Sequence, residues 1–99
     1  MFVHSVFFWL KPGLTADQVR AFRGGLETLR GVASARAVYI GEAAATSRPV
    51  VDRSYTFGLT VLLEDLAGHD AYQADPIHLA FVREYAKDWE RVVIYDTRE

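Results

Sequence analysis

Apolar positions crowd the first ten residues without the alternation of a half-solvated strand. Phe2, His4, Val6, Phe8 and Leu10 fall on one side of an extended chain, and Val3, Ser5, Phe7 and Trp9 on the other. Both sides carry large apolar groups, so Phe2 to Leu10 reads as a strand that needs cover on two faces. Pro12-Gly13 is a turn. Thr15-Ala16-Asp17-Gln18 is a capping box, with Thr15 as N-cap and Gln18 reaching back from the third helical position. Val19, Phe22, Leu26 and Leu29 then recur every three or four residues, one stripe of an amphipathic helix that closes near Gly31.

Val32 to Glu42 reads as a second strand, with Ala35, Ala37, Tyr39 and Gly41 against Arg36, Val38 and Ile40. From Ala43 to Arg53 the composition shifts to Ala, Thr, Ser, Arg and Pro, as in a loop that could act as a lid. Tyr55 to Leu63 is a third strand, with Tyr55, Phe57, Leu59, Val61 and Leu63 on one face. Leu66 to Trp89 is helical with a break at Asp75-Pro76, an N-cap followed by a proline at the first helical position. Ile77, Ala80, Phe81, Tyr85 and Trp89 form its buried stripe. Arg91 to Asp96 is a short final strand.

Strand, helix, strand, strand, helix, strand is the order of a ferredoxin-like α+β sandwich: an antiparallel four-stranded sheet with two helices on one face. Its other face would lie in water. Burying a Val or Phe side chain contributes about 1.5–3 kcal/mol, so an open face of such residues marks an interface. A two-fold partner presenting the same sheet is the simplest cover, and a homodimer through the sheet is the expectation.

Composition narrows the function. The 99 residues, 51% hydrophobic, make one domain, residues 1–99, with ample core. A net charge of −2 gives no electrostatic reason to bind nucleic acid or an anionic membrane. With no cysteine, disulfides and thiolate chemistry are excluded. The apolar N-terminus lacks a basic flank and a cleavage site and is too short to span a bilayer, so a cytoplasmic protein is expected.

The chemistry must come from three histidines and their neighbours. His4 is either a hydrogen-bonded core imidazole or a group facing a pocket between sheet and helices. His69, beside Asp70, reads as a surface residue, as do Arg48, Asp52 and Arg53 on the loop. His78 falls near the third position of the helical segment after the break. A helix N-terminus disfavours the imidazolium, so a neutral base is expected there. Tyr72, six residues earlier, could hold a developing oxyanion in the same space, or the pair could simply fasten the break. There is no glycine-rich phosphate loop, His-Glu metal motif or serine elbow, so no cofactor is expected. A metal site of His4, His78 and a carboxylate has no ligand spacing to support it, and no metal is expected.

The opening His4-Ser5-Val6-Phe7-Phe8-Trp9-Leu10-Lys11, the Tyr55 strand and the segment Ala71-Tyr72-Gln73-Ala74-Asp75-Pro76-Ile77-His78-Leu79-Ala80-Phe81 resemble the stress-responsive dimeric A/B barrel (Dabb) family. The resemblance implies a two-fold dimer whose paired sheets form a barrel with helices outside. Its members include a plant polyketide cyclase that closes a ring by intramolecular aldol condensation without a cofactor. That enzyme's Tyr and His pair falls on Tyr72 and His78, and its N-terminal-strand His on His4; at Phe57, where it carries another histidine, this chain departs. The resemblance thus implies His78 and Tyr72 as catalytic residues and His4, Phe57 and Phe81 as substrate-binding, toward a small apolar carbonyl compound. Two alternatives stand beside it: a non-catalytic, ligand-binding or stress-associated dimer, and a cofactor-free monooxygenase.

Overall fold

A computed structural model describes all 99 residues. Strand β1 (Phe2–Leu10) leads through the Pro12-Gly13 turn into helix α1 (Ala16–Thr28), and a short 3-10 turn over Leu29–Gly31 follows. Strands β2 (Ala37–Gly41) and β3 (Phe57–Leu63) precede helices α2 (Leu66–Ala74) and α3 (Pro76–Tyr85). A second 3-10 turn, Ala86–Asp88, opens strand β4 (Trp89–Arg98). The sheet order is β2-β3-β1-β4, antiparallel throughout. This is the ferredoxin-like α+β arrangement anticipated above, with the helices on one face.

Local chemistry explains the element boundaries. Thr15 Oγ1 accepts from the Gln18 backbone N–H at 3.1 Å, and Gln18 Oε1 accepts from the Thr15 N–H at 2.8 Å, so the capping box is complete. Asp65 caps α2 by accepting from Gly68 N–H at 2.8 Å. Asp75 ends α2 and starts α3: its backbone is extended (φ −64, ψ 136), and its carboxylate accepts from Ile77 N–H at 2.8 Å. The break is therefore complete, and the second helical region is two helices, not one.

Helix α1 and the core of β1 and β3 meet around Phe22. That residue is fully buried, and its ring lies within 6.2 Å of Phe8, Phe57, Phe81, Tyr85 and Trp89. Gly25 lets α1 approach α3, because a Cβ there would lie 2.3 Å from the Tyr85 ring. Phe2, His4, Val6 and Phe8 of β1 all point into this helix-covered layer and are buried, as are Phe57, Leu59, Val61 and Leu63 of β3.

Four sequence expectations shift. The second strand is shorter than Val32–Glu42, because Val32 is buried at the end of the 3-10 turn and pairing with β3 begins near Arg36, whose N–H donates to Leu62 O at 2.8 Å. The third strand starts at Phe57, and Tyr55 lies before it, on the opposite face from Phe57, with its ring 4.9 Å from that of Phe7. The last strand runs Trp89–Arg98, longer than expected, since β1 pairs it along its whole length. Trp89 belongs to that strand and not to the helix. A register shift at Trp9/Leu10 turns Trp89 into the helix-side core, 5.3 Å from Phe8.

The other face of the sheet has no helix. Val3, Ser5, Phe7 and Trp9 are half-buried there, and Tyr39 and Tyr95 are 61% and 63% exposed. The 42–56 connection folds over part of this face: Trp9 Nε1–H donates to Ser54 Oγ at 3.0 Å, and the Thr56 N–H to Phe8 O at 2.7 Å. The Arg91 guanidinium lies 4.4 Å above the Trp9 ring.

Candidate functional site

The helix-covered side of the sheet is not filled at one end. A cavity of about 180 Å³ lies between β1, β3 and β4 and the α2–α3 break. Its wall includes His4, Val6, Leu59, Tyr72, His78 and Phe81, and most of it is apolar. An apolar cavity of about 150 Å³ holds a benzene-sized molecule, so the space suits a ligand built around one ring or a short chain. No residue of the 43–53 loop lines it. That loop reaches the opposite face, where Asp52 and Tyr55 border a separate hollow with Trp9, Arg91 and Tyr95. The loop is placed to cover the open sheet, not to close over Tyr72 and His78.

The break brings Tyr72 and His78 together. In one continuous helix, residues six apart would point roughly 120° away from each other at 3.6 residues per turn. The extended backbone at Asp75 resets the phase, and the Tyr72 and His78 rings come to 4.9 Å. His78 is the third residue of α3, as the Asp75-Pro76 signature predicts. Burial pushes its imidazole below its ordinary pKa of 6.5, and the nearby His4 adds to the effect; the Gln73 backbone and the Asp75 carboxylate oppose it. Burial alone raises the Tyr72 phenol far above its ordinary range, so it stays an O–H donor. Tyr72 Oη and His78 Nδ1 are both buried and lack a hydrogen-bond partner within the protein. Leaving a buried polar atom unpaired costs roughly 1–3 kcal/mol, and both atoms belong to residues that border the cavity.

His4 forms the sheet-side wall, 5.7 Å ring to ring from Tyr72. Its Nδ1 pairs with Asp96 Oδ1 at 2.5 Å, and its Nε2 lies 3.4 Å from Gln73 Nε2. It is thus both hydrogen-bonded and adjacent to the cavity. Phe81 also lines the cavity. Phe57 does not: it stacks on Phe22 at 5.9 Å, deeper in the aromatic core, and the substrate-binding position implied for it is corrected to a packing one.

His69 departs from its reading as a surface residue. Its side chain is 17% exposed, and its ring lies 4.7 Å from Phe2 and 5.2 Å from His4. Asp96 and Gln73 were not singled out in the sequence. Asp96 reaches His4 only through the β1–β4 register, which pairs those two residues directly, and no local pattern carries that pairing.

A ferredoxin-like sandwich with one apolar cavity under its helices and one uncovered aromatic sheet face defines the class of molecule. The family model described as "Stress responsive A/B Barrel Domain" (Dabb) matches residues 2–99, and the chain belongs to this family. Among solved structures, a dimeric ferredoxin-like protein of unknown function from Thermobifida fusca YX superposes with a TM-score of 0.80 at 22% identity, covering 99% of this chain and 90% of that one. A Dabb family protein from Mesorhizobium loti gives a TM-score of 0.80 at 23% identity, with 99% and 95% covered. The hydroxynitrile lyase of Passiflora edulis gives 0.79 at 20% identity, with 97% and 90% covered. No curated protein sequence matches the chain. No helix is long and apolar enough to cross a membrane.

Proposed function

We propose that the chain is a cofactor-independent acid–base catalyst, working as a homodimer on a small, largely apolar carbonyl compound held in the helix-side cavity. The observation that carries this reading is the close approach of the Tyr72 and His78 rings, 4.9 Å apart, on two residues that border one apolar cavity and whose Oη and Nδ1 are buried without a partner in the protein. His78, kept neutral by burial, takes a proton from the carbon alpha to the carbonyl. Tyr72 keeps its proton and donates a hydrogen bond to the oxygen as it becomes an enolate. The enolate carbon attacks a second carbonyl in an aldol-type closure, and the imidazolium returns its proton to the new alkoxide. His4, oriented by Asp96, fixes the polar end of the wall. A similar fold carries a hydroxynitrile lyase in Passiflora edulis, which agrees with lyase-type chemistry on this scaffold.

The dimer rests on the open sheet face and on relatives described as dimeric. Phe7, Trp9, Tyr39, Val93 and Tyr95 present apolar surface there, and a second copy of the same sheet would cover it.

The chemistry is tested by incubating the protein in D₂O with simple ketones and β-keto thioesters and following deuterium uptake alpha to the carbonyl by NMR. Catalysed exchange should fall by at least about a hundredfold in His78→Ala and in Tyr72→Phe. Exchange that persists undiminished in His78→Ala would sink the reading. The mostly apolar wall also suits a non-catalytic binder, which would hold the same ligands but never exchange their protons.

A further inference from the structure

We infer that His4, His69 and Asp96 form a binding site for one divalent transition-metal ion per chain, with Zn²⁺ the ion that the donor set fits best. These three side chains come from three elements, β1, α2 and β4, and their ligand atoms all lie within 4.8 Å of one another. No other group of three or more His, Asp or Glu side chains in the molecule gathers so closely.

The hydrogen-bond pattern argues for a cation between them. His69 Nδ1 lies 3.1 Å from Asp70 Oδ1, so its Nδ1–H donates outward. That tautomer leaves a lone pair on Nε2, which faces Asp96 Oδ2 at 3.9 Å. A lone pair set against a carboxylate oxygen is repulsive, and either a proton on Nε2 or a cation between the two atoms relieves it; at 3.9 Å the gap is too long for a direct hydrogen bond and leaves room for an ion. His4 presents Nδ1 to the other carboxylate oxygen, at 2.5 Å, and keeps its Nε2 for the Gln73 amide. On His69 the far nitrogen has a carboxylate partner, the arrangement that fixes a metal-ligating tautomer, whereas His4 Nδ1 must give up its proton to bind. Gln73 would turn its amide so that Oε1 accepts from Nε2–H once Nδ1 binds metal.

Two imidazoles and a carboxylate are a zinc donor set that leaves a fourth position open. Ligand atoms about 2.0–2.2 Å from a tetrahedral ion stand roughly 3.3–3.5 Å apart. The His69–Asp96 gap of 3.9 Å must close slightly and the His4–Asp96 pair at 2.5 Å must open. Binding displaces the proton that His4 and Asp96 share. The Asp96 side chain is 36% exposed, which gives the ion a route in from the β4 edge. Only His4 of the three lines the cavity, so the site adjoins the proposed acid–base pair without containing it.

The test uses the whole chain after chelator treatment and dialysis. Zn²⁺ is titrated by calorimetry, and Co²⁺ is added separately to read the visible bands of a low-coordinate ion. The result expected is saturable binding of one ion per chain and a rise in unfolding temperature with Zn²⁺. His69→Gln and Asp96→Asn, both at the edge of the core, should each weaken Zn²⁺ binding by at least about tenfold. His78→Ala should bind Zn²⁺ as the parent does, which separates this site from the cavity pair. The inference is overturned if the unmodified chain shows no saturable binding, or if both ligand variants bind Zn²⁺ undiminished.

Discussion

The two faces of the sheet are built from the same residue types and have opposite fates. On the helix side, Phe2, Val6, Phe8, Phe57, Leu59 and Val61 are buried within the chain itself, and Phe22 locks them under α1. On the other side, Phe7, Trp9 and Val93 are half-buried and Tyr39 and Tyr95 largely exposed, with the 42–56 connection and Arg91 as partial cover. Aromatic content alone does not say which face is core. Helix placement decides it, and the side that no helix reaches stays partly open to solvent. Polar chemistry follows the same division. The unpartnered Tyr72 and His78 atoms and the His4–Asp96 pair lie on the helix side, where burial makes them consequential.

The largest way to break this contrast is at Phe22. Phe22→Ala removes a fully buried ring from the centre of the aromatic cluster and should cost about 3–5 kcal/mol in urea unfolding. Phe7→Ala on the open face should cost a separated protomer much less, because Phe7 is only half-buried there. Equal losses at the two sites would mean that the open face is part of the chain's own core. Tyr95→Asp probes association directly. It places a charge on the uncovered face and should raise the dimer dissociation constant by tenfold or more, read by light scattering across a dilution series. A protomer that is already monomeric at micromolar concentration would remove the dimer from the proposed function.

Thr15→Ala should cost about 1 kcal/mol, since it deletes half of a capping box that anchors α1 over the core. The smallest effect is pH-dependent and belongs to His78. Its folded pKa lies below the unfolded value of 6.5, so the unfolded chain binds more protons between the two. Stability should therefore fall as pH drops below about 6.5 and level off once the folded-state pKa is passed. His78→Gln should flatten that slope in thermal unfolding followed from pH 7.5 to pH 5. A slope identical in parent and variant would show that His78 titrates as an exposed imidazole does.

Much of this organisation was legible in the chain. The two-sided apolar pattern of β1, the Thr15–Gln18 box and the Asp75-Pro76 signature are local, and each fixed its element because cap chemistry and the strand period act over a few residues. The edges of β2 and β4 were not legible, because pairing with a neighbour, not propensity, sets where those strands stop. The site was half visible. Tyr72 and His78 share a short segment and could be placed together. His69 could not, since a histidine beside an aspartate in a polar turn looks solvated until Phe2 and His4 are known to lie against it. Asp96 joins His4 across 92 residues through strand register alone. Phe57 was placed by family likeness, and its own packing against Phe22 puts it elsewhere.

The interruption at Asp75 has a consequence for how such chains diverge. The extended residue Asp75 alone separates the helix that carries Tyr72 from the helix that carries His78. Changes in the last turn of α2, or in the length of the joint, would swing Tyr72 and His78 relative to each other while leaving strand pairing intact. The sheet and the geometry of that residue pair can thus drift at separate rates.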